Sequence, residues 1–312
     1  MEYRVLGKTG LKVSVLSYGA SSLGSVFRRV TEADGIRAVH AALDLGINFI
    51  DVSPFYGLTV AETVLGKALK GVPRDKYFLA TKVGRYGYKM EDFDFSARRV
   101  TASVDESLAR LGVDVIDVIQ CHDIEFGSLD QIVEETIPAL RRLQEQGKVR
   151  FVGITGLPLK IFTYVADRAE IDTILSYCRY ELNDTGLADL APYLQAKNIG
   201  IINASPLGMG LLTQKGGPDW HPAANKIKQA CAQAAEYCAG HGVDIAQLAI
   251  QFSLANPDFA TTLVGTASAE NIEHNIKWLE TPIDQELLAG VLKILQPIHN
   301  QTWPSGRPEN ND

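Results

Sequence analysis

Short apolar runs alternate with longer amphipathic stretches along the whole chain. Tyr3–Leu6, a GKTG turn and Leu11–Val13 read as a hairpin. Eight β-rich segments follow: 13–19 (VSVLSYG), 48–53 (NFIDVS), 77–83 (YFLATKV), 114–122 (DVIDVIQCH), 149–155 (VRFVGIT), 173–178 (TILSYC), 200–205 (GIINAS) and 261–266 (TTLVGT). Most are continuously apolar, the pattern of parallel strands covered on both faces. Between them the period becomes helical. Thr31 opens one stretch in which Ile36, Val39 and Leu43 recur, and Gly46 closes it. Ser96 and Ser128 open two more; the second runs to Gly147 and contains Pro138, where a kink is expected. Segments 185–198, 223–240 and 243–256 have the same character.

About eight strands in βα alternation, with no linker-like break, favour a single (β/α)8 TIM barrel with an N-terminal β-hairpin, spanning 1–312. An open, doubly wound sheet is the alternative on rhythm alone. The polar tail from about residue 304 is expected to be loose.

Composition narrows the field. A 312-residue chain that is 46% hydrophobic buries a large core without metal or disulfide staples. A net charge of −7 and no basic stripe argue against a nucleic-acid partner. Cys121, Cys178, Cys231 and Cys238 lack CxxC spacing and fit reduced thiols, and no HExxH motif calls for a metal. No apolar run is long enough for a membrane span and no leader is read at the N-terminus, so a cytoplasmic protein is expected. No long amphipathic face is left spare to name a subunit partner.

In a parallel barrel, side chains at the carboxyl ends of strands line the mouth. Asp51 ends the second segment, Tyr56 follows in its loop, Lys82 ends the third and His122 the fourth. Taken singly, these are a helix cap, a core aromatic, a rim lysine and a satisfied polar residue. Taken together they form an acid–base group. A free tyrosine has a pKa of roughly 10; an adjacent ammonium lowers it, and a carboxylate holds that ammonium in place. The imidazole can orient a substrate oxygen. Such a group suits proton movement during hydride transfer between a carbinol and a carbonyl. An aldolase or isomerase with Lys82 as a Schiff-base amine is a rival, weakened by the pairing with Asp51.

These residues carry a resemblance. GINFIDVSPFYG (46–57), LATKVG (79–84) and IQCHD (119–123) resemble the aldo-keto reductase family in order and spacing. The resemblance implies a nicotinamide cofactor, Tyr56 as general acid/base, Lys82 and Asp51 as its supports, and His122 as substrate orienter. It also implies that SPLGMGLL, through Ser205, Pro206, Leu207, Gly208, Gly210 and Leu211, folds over the pyrophosphate. By its Rossmann likeness alone, the GMGLLT piece is weak, lacking a third glycine. Gly265, Thr266, Ala267, Asn271 and Asn275 would hold the adenosine end. Members that use NADP place basic residues at the positions of Gly265 and Asn271; here Glu270 and Glu273 stand nearby, so the expected cofactor is NAD. Thr155 and Tyr177 are assigned to the nicotinamide, with departures: Thr155-Gly156 replaces the usual Ser-Asn pair, Tyr177 stands for a Gln, and Ala204 replaces the stacking aromatic.

CHDIEFGSLDQI (121–132), GITGLPLKIFTYV (153–165), ASPLGMGLLT (204–213), WHPA (220–223) and TWPSG (302–306) are similar to the branch of the family that oxidises an aldose such as L-galactose at C1 to the lactone. Related sugars such as L-fucose or D-arabinose, and a slow cofactor-sensing subunit of the same fold, remain alternatives. Tyr56, His122, Asp123, Tyr86 and Trp303 are the candidate sugar contacts, because polyols are held by carboxylates and aromatic faces.

Overall fold

The computed structural model describes residues 1–312. Strands β1 (Tyr3–Val5) and β2 (Lys12–Ser14) form the antiparallel hairpin, with Tyr3 opposite Ser14. Eight parallel strands close into a barrel: β3 (Leu16–Gly19), β4 (Phe49–Asp51), β5 (Phe78–Val83), β6 (Ile116–Cys121), β7 (Val149–Gly156), β8 (Thr173–Tyr177), β9 (Gly200–Ala204) and β10 (Thr261–Gly265). They follow one another around the barrel in chain order, and β10 returns to pair with β3. Each lies within a segment expected from its apolar run, except that β7 extends one residue past its segment to Gly156. In the first segment, Val13 and Ser14 belong to the hairpin and the barrel strand starts only at Leu16.

Both faces of each strand are buried, which is why the sequence shows runs instead of alternation. Ile50, Leu79 and Ile119 join the layers under the helices, while Phe49, Ala80, Val118, Ile202 and Leu263 fill the barrel interior. Leu6, Leu11 and Val13 of the hairpin region pack into that interior cluster. The hairpin therefore stoppers the end where the strands begin, leaving the mouth at the opposite end.

The surrounding helices are α1 (Glu32–Asp44), α2 (Val60–Leu69), α3 (Ala97–Leu111), α4 (Leu129–Gln131), α5 (Ile137–Glu145), α6 (Lys160–Ala166), α7 (Gly186–Ala196), α8 (Asn225–Gly240), α9 (Ile245–Ala255), α10 (Ala269–Glu280) and α11 (Gln285–Leu295). Thr31 and Ser96 cap α1 and α3 by accepting from Asp34 N and Arg99 N. The break expected at Pro138 is a π-helical turn, Ile132–Thr136, joining α4 to α5. A proline lacks the N–H and crowds the carbonyl four residues back, and the wider turn relieves both. The periodic pattern did not expose α2, α6, α10 or α11. In α2 the reason is visible: Thr59 gives no side-chain cap, and the inward Glu62 is a carboxylate held by Thr81 Oγ1 and Arg110 Nε, each at 2.6 Å.

The tail corrects an expectation: it is docked, not loose. Arg307 N and Asn310 Nδ2 donate to Glu125 O, both at 2.9 Å, and Ser305 Oγ donates to Glu125 Oε1 at 2.9 Å. The Asp312 carboxylate accepts from Leu159 N and Lys160 N and pairs with Arg179 at 2.5 Å. Polar residues here satisfy buried backbone groups, a use of polarity that composition does not distinguish from solvation. No helix is long and apolar enough to cross a membrane.

Candidate active site

The ends of β4, β5 and β6 bring the four expected residues together. Strand register sets Lys82 beside Gln120, with Asp51 one strand over, all on the inward face. Lys82 Nζ forms an ion pair with Asp51 Oδ1, donates to Val52 O at 2.9 Å, and reaches Tyr56 Oη at 3.2 Å. Gln120 Nε2 donates to the other Asp51 oxygen at 2.7 Å. Lys82 and Asp51 are both buried, so each charge depends on the other for compensation. The backbone of Tyr56 is seated by Gly24, where a Cβ would lie 2.5 Å from the Tyr56 carbonyl, so the contact requires glycine.

His122 stands edge-on to Tyr56, ring centres 5.7 Å apart. Its Nδ1 lies 3.0 Å from Ser53 Oγ, which itself accepts from Phe55 N. Ser53 can then give its only proton to Nδ1, which leaves the imidazole proton on Nε2, facing the site. Burial holds the His122 pKa well below the usual histidine range, so the ring is neutral and Nε2–H is a donor.

Burial acts against Lys82 ionisation, but Asp51 and Tyr56 outweigh it, and its pKa lies above the ordinary value. A lysine held protonated in this way is a poor amine nucleophile. For Tyr56 the balance differs from the expected one. Burial raises its pKa more than Lys82 lowers it, and Asp51 adds to the rise, so Tyr56 is a phenol in the resting protein. Much of the Lys82 field is spent on Asp51.

Asp123 sits just beyond His122 in a left-handed backbone conformation, φ 51°. Its carboxylate pairs with Arg85 at 2.5 Å, and its N–H donates to Thr155 Oγ1 at 2.9 Å. Burial would raise Asp123, but His122, then the Arg85 guanidinium and Lys82, outweigh it and hold its pKa below the ordinary value. The Arg85 guanidinium lies 3.7 Å from the centre of the Phe55 ring. Asp123 and Thr155 thus lie beside His122 at the barrel mouth.

Tyr86 and Trp303 do not. Tyr86 Oη accepts from Gly84 N at 3.0 Å and its ring lies under Arg99 of α3, because Tyr86 N is tied to Asp92 O and turns the loop outward. Trp303 packs edge-on to His221 at 5.0 Å within the cluster under α8 and α11, and is 8% exposed. Both are held by packing contacts.

On the far side of the mouth, Ser205, Gly208, Met209 and Gly210 all have positive φ and fold 205–211 into a tight loop after β9. His221 Nε2 lies 3.0 Å from Gly208 O and Nδ1 accepts from Ala223 N, which fixes the loop. Across from it, Thr266 and Ala267 turn β10 into α10, and Tyr18 Oη donates to Thr266 O at 2.7 Å. The N–H groups of Leu207, Met209, Thr266 and Ala267 donate to no acceptor in the protein. Free donors from two facing turns fit the pyrophosphate of a dinucleotide. Asn271 turns its amide back to Thr266 Oγ1 at 3.3 Å, Asn275 is buried, and Gly265 is exposed. Tyr177, opposite Ala204 in register, places its hydroxyl 3.4 Å from Glu125 Oε1.

Gln120, Ser53, Arg85, Glu125 and His221 were missed. For Gln120 a signal existed: it is a polar residue inside the apolar run IDVIQC and shares inward parity with Lys82.

The Aldo/keto reductase family profile matches residues 15–296. L-galactose dehydrogenase of Arabidopsis thaliana is 54% identical over 99% of each chain. D-arabinose 1-dehydrogenase of Saccharomyces cerevisiae is 31% identical over 95% of each. Among solved structures, the holo form of an aldo-keto reductase of Bacillus halodurans superposes with a TM-score of 0.80 at 27% identity over the full length of both chains. The glycerol dehydrogenase of Gluconobacter oxydans, 22% identical over 98% of each chain, shares the fold with a TM-score of 0.76.

Proposed function

The chain belongs to the aldo/keto reductase family and is an oxidoreductase, and we propose that it oxidises L-galactose at C1 to the lactone with NAD. The observation that carries the chemistry is the Lys82 ammonium held between Asp51 and Tyr56, with a neutral His122 alongside. The observation that carries the sugar is the 54% identity to L-galactose dehydrogenase over 99% of each chain.

When bound, NAD would supply the acceptor for the hydride that leaves C1. His122 Nε2–H donates to the C1 oxygen and orients it. Tyr56 takes the proton from that oxygen, which requires its phenolate; Lys82 stabilises that form from 3.2 Å. Asp51, gripped by Gln120, keeps Lys82 charged and in place. Asp123, fixed by Arg85 and Thr155, is the carboxylate available to a sugar hydroxyl. The turns 205–211 and 265–267 would hold the dinucleotide, with Thr155 and Tyr177 toward its nicotinamide. Gly265 and Asn271 offer the adenosine ribose no cation, which favours NAD.

The test is NAD reduction by the purified protein with L-galactose, L-fucose, D-arabinose and L-gulose. Fastest turnover on L-galactose is expected. Fastest turnover on D-arabinose would move the substrate toward that of the yeast relative, and no turnover on any of the four would end the aldose reading.

A further inference from the structure

A guanidinium is built into the barrel mouth beside the acid–base group. Arg85 follows Gly84, whose φ of 97° turns the chain against the Phe95 ring, where a Cβ would lie 2.1 Å away. The Arg85 backbone then bridges antiparallel to Phe93, flanked by the Asp94 N to Gly84 O and Tyr86 N to Asp92 O bonds at 2.9 and 3.0 Å. Alternation along this short ladder sends Tyr86 outward and Arg85 in over the mouth. There the guanidinium lies against three aromatic rings, 3.7 Å from the centre of Phe55, 5.2 Å from Phe93 and 5.6 Å from Phe126. It pairs with Asp123 through one nitrogen, while its buried Nε donates to no atom of the protein. The side chain as a whole is still 20% exposed.

Asp123 Oδ2, the oxygen that Arg85 holds, lies 3.7 Å from His122 Nε2. With Nε2–H donating to the C1 oxygen of a sugar, the oxygen on a neighbouring atom falls beside this carboxylate and this guanidinium. A pyranose offers two such oxygens, the ring oxygen and the C2 hydroxyl, and only the hydroxyl has a proton to give a carboxylate. Asp123, held below its ordinary pKa, is an acceptor only, and Arg85 is a donor only. The pair therefore matches both halves of a hydroxyl. A substrate with no hydroxyl there would cover a charged pair and leave it unsatisfied, which costs transition-state binding.

We propose that Arg85 and Asp123 together read the C2 hydroxyl of the sugar, Asp123 accepting a hydrogen bond from it and Arg85 donating one to its oxygen. The pair thereby selects aldoses over 2-deoxy sugars and simple alcohols. The assignment rests on the aldose reading above. It makes Arg85 a specificity-determining residue and leaves the proton transfer to Tyr56. The Phe55 ring stands edge-on to His122, centres 5.8 Å apart, and so ties the guanidinium to the position of the imidazole.

The experiment is steady-state NAD reduction by the full chain with L-galactose and 2-deoxy-L-galactose, in the wild type, R85M and R85K. The readout is the ratio of kcat/KM for the two sugars. The wild type is expected to favour L-galactose by about ten- to a hundredfold, and R85M to lower that ratio by about tenfold. R85K keeps a cation beside Asp123 without the planar fork; it is expected to lose part of the ratio, and gives the same reading should R85M not fold. An Arg85 that only supports the fold would slow both sugars together and leave the ratio unchanged. A wild-type ratio near one, or a ratio that neither variant lowers, would overturn the proposal while L-galactose is still oxidised. No oxidation of L-galactose by the wild type would instead end the aldose reading, and this one with it.

Discussion

The two walls of the barrel mouth handle buried acid in opposite ways. On the β4–β6 wall, burial pushes the Asp51 carboxyl above its ordinary range, but both oxygens are matched and oppose that rise: Lys82 takes one and Gln120 the other. On the wall made by the β6 loop and the tail, Glu125 is fully buried with no cation. Its Oε1 accepts from Ser305 Oγ at 2.9 Å and Leu157 N at 3.2 Å, and its Oε2 has no partner. Burial and the nearby Asp123 charge push its pKa up to about 8. One wall keeps its charge by pairing it; the other removes its charge by keeping the proton. The first arrangement stabilises a phenolate when the reaction needs one. The second fastens the tail and the Tyr177 hydroxyl to the loop that carries His122 and Asp123.

The largest effect is expected from breaking the paired wall. K82M leaves Asp51 buried without its counter-ion, and should cost about 3–5 kcal/mol in urea denaturation. It should also slow sugar oxidation by at least about a hundredfold, because Tyr56 loses its supporting cation. Loss of rate without loss of stability would mean that Asp51 finds another partner.

The neutral wall is tested by pH. A carboxyl whose pKa rises on folding, here from 4.5 to about 8, keeps a proton that the unfolded chain releases between those values. Its contribution to stability is therefore present at low pH, declines as pH rises through that window, and levels off above about 8. Glu181, also pushed up to about 8 by burial, acts in the same direction. E125Q removes the first slope and leaves the second. Urea midpoints for the wild type and E125Q at pH 5 and pH 8 should thus show the variant gaining relative stability at the higher pH. A constant difference would mean that Glu125 is ionised throughout.

Smaller effects should follow from single contacts. Asn310 Nδ2 bridges Glu125 O and Gly127 O, so N310A should cost about 1–3 kcal/mol and speed amide exchange in residues 303–312. S53A frees His122 Nδ1 and its tautomer; kcat/KM should fall by up to about tenfold with the fold intact. An unchanged kcat/KM would show that Ser53 does not set the ring.

The same contrast explains what could be read from sequence. Asp51, Tyr56, Lys82 and His122 each end or follow a short apolar strand, so chain order alone gathers them at one barrel end. The eight strands were legible for the same reason: burial on both faces writes itself as an apolar run. The neutral wall has no such local record. Ser305 meets Glu125 across 180 residues, and a tail of polar side chains looks solvated until its partners are in view. The packing of Tyr86 was not legible, because the Tyr86 N to Asp92 O bond beyond the strand end sets the course of its loop. The sign of the Tyr56 shift also required structure, because burial has no sequence signal at a single tyrosine.

The most direct measurement is steady-state NAD reduction with L-galactose by the wild type and Y56F, with NAD binding followed by calorimetry. The account predicts turnover by the wild type, a loss of about 10²–10⁴-fold in Y56F, and NAD affinity unchanged. A Y56F protein that oxidises the sugar at the wild-type rate would contradict it.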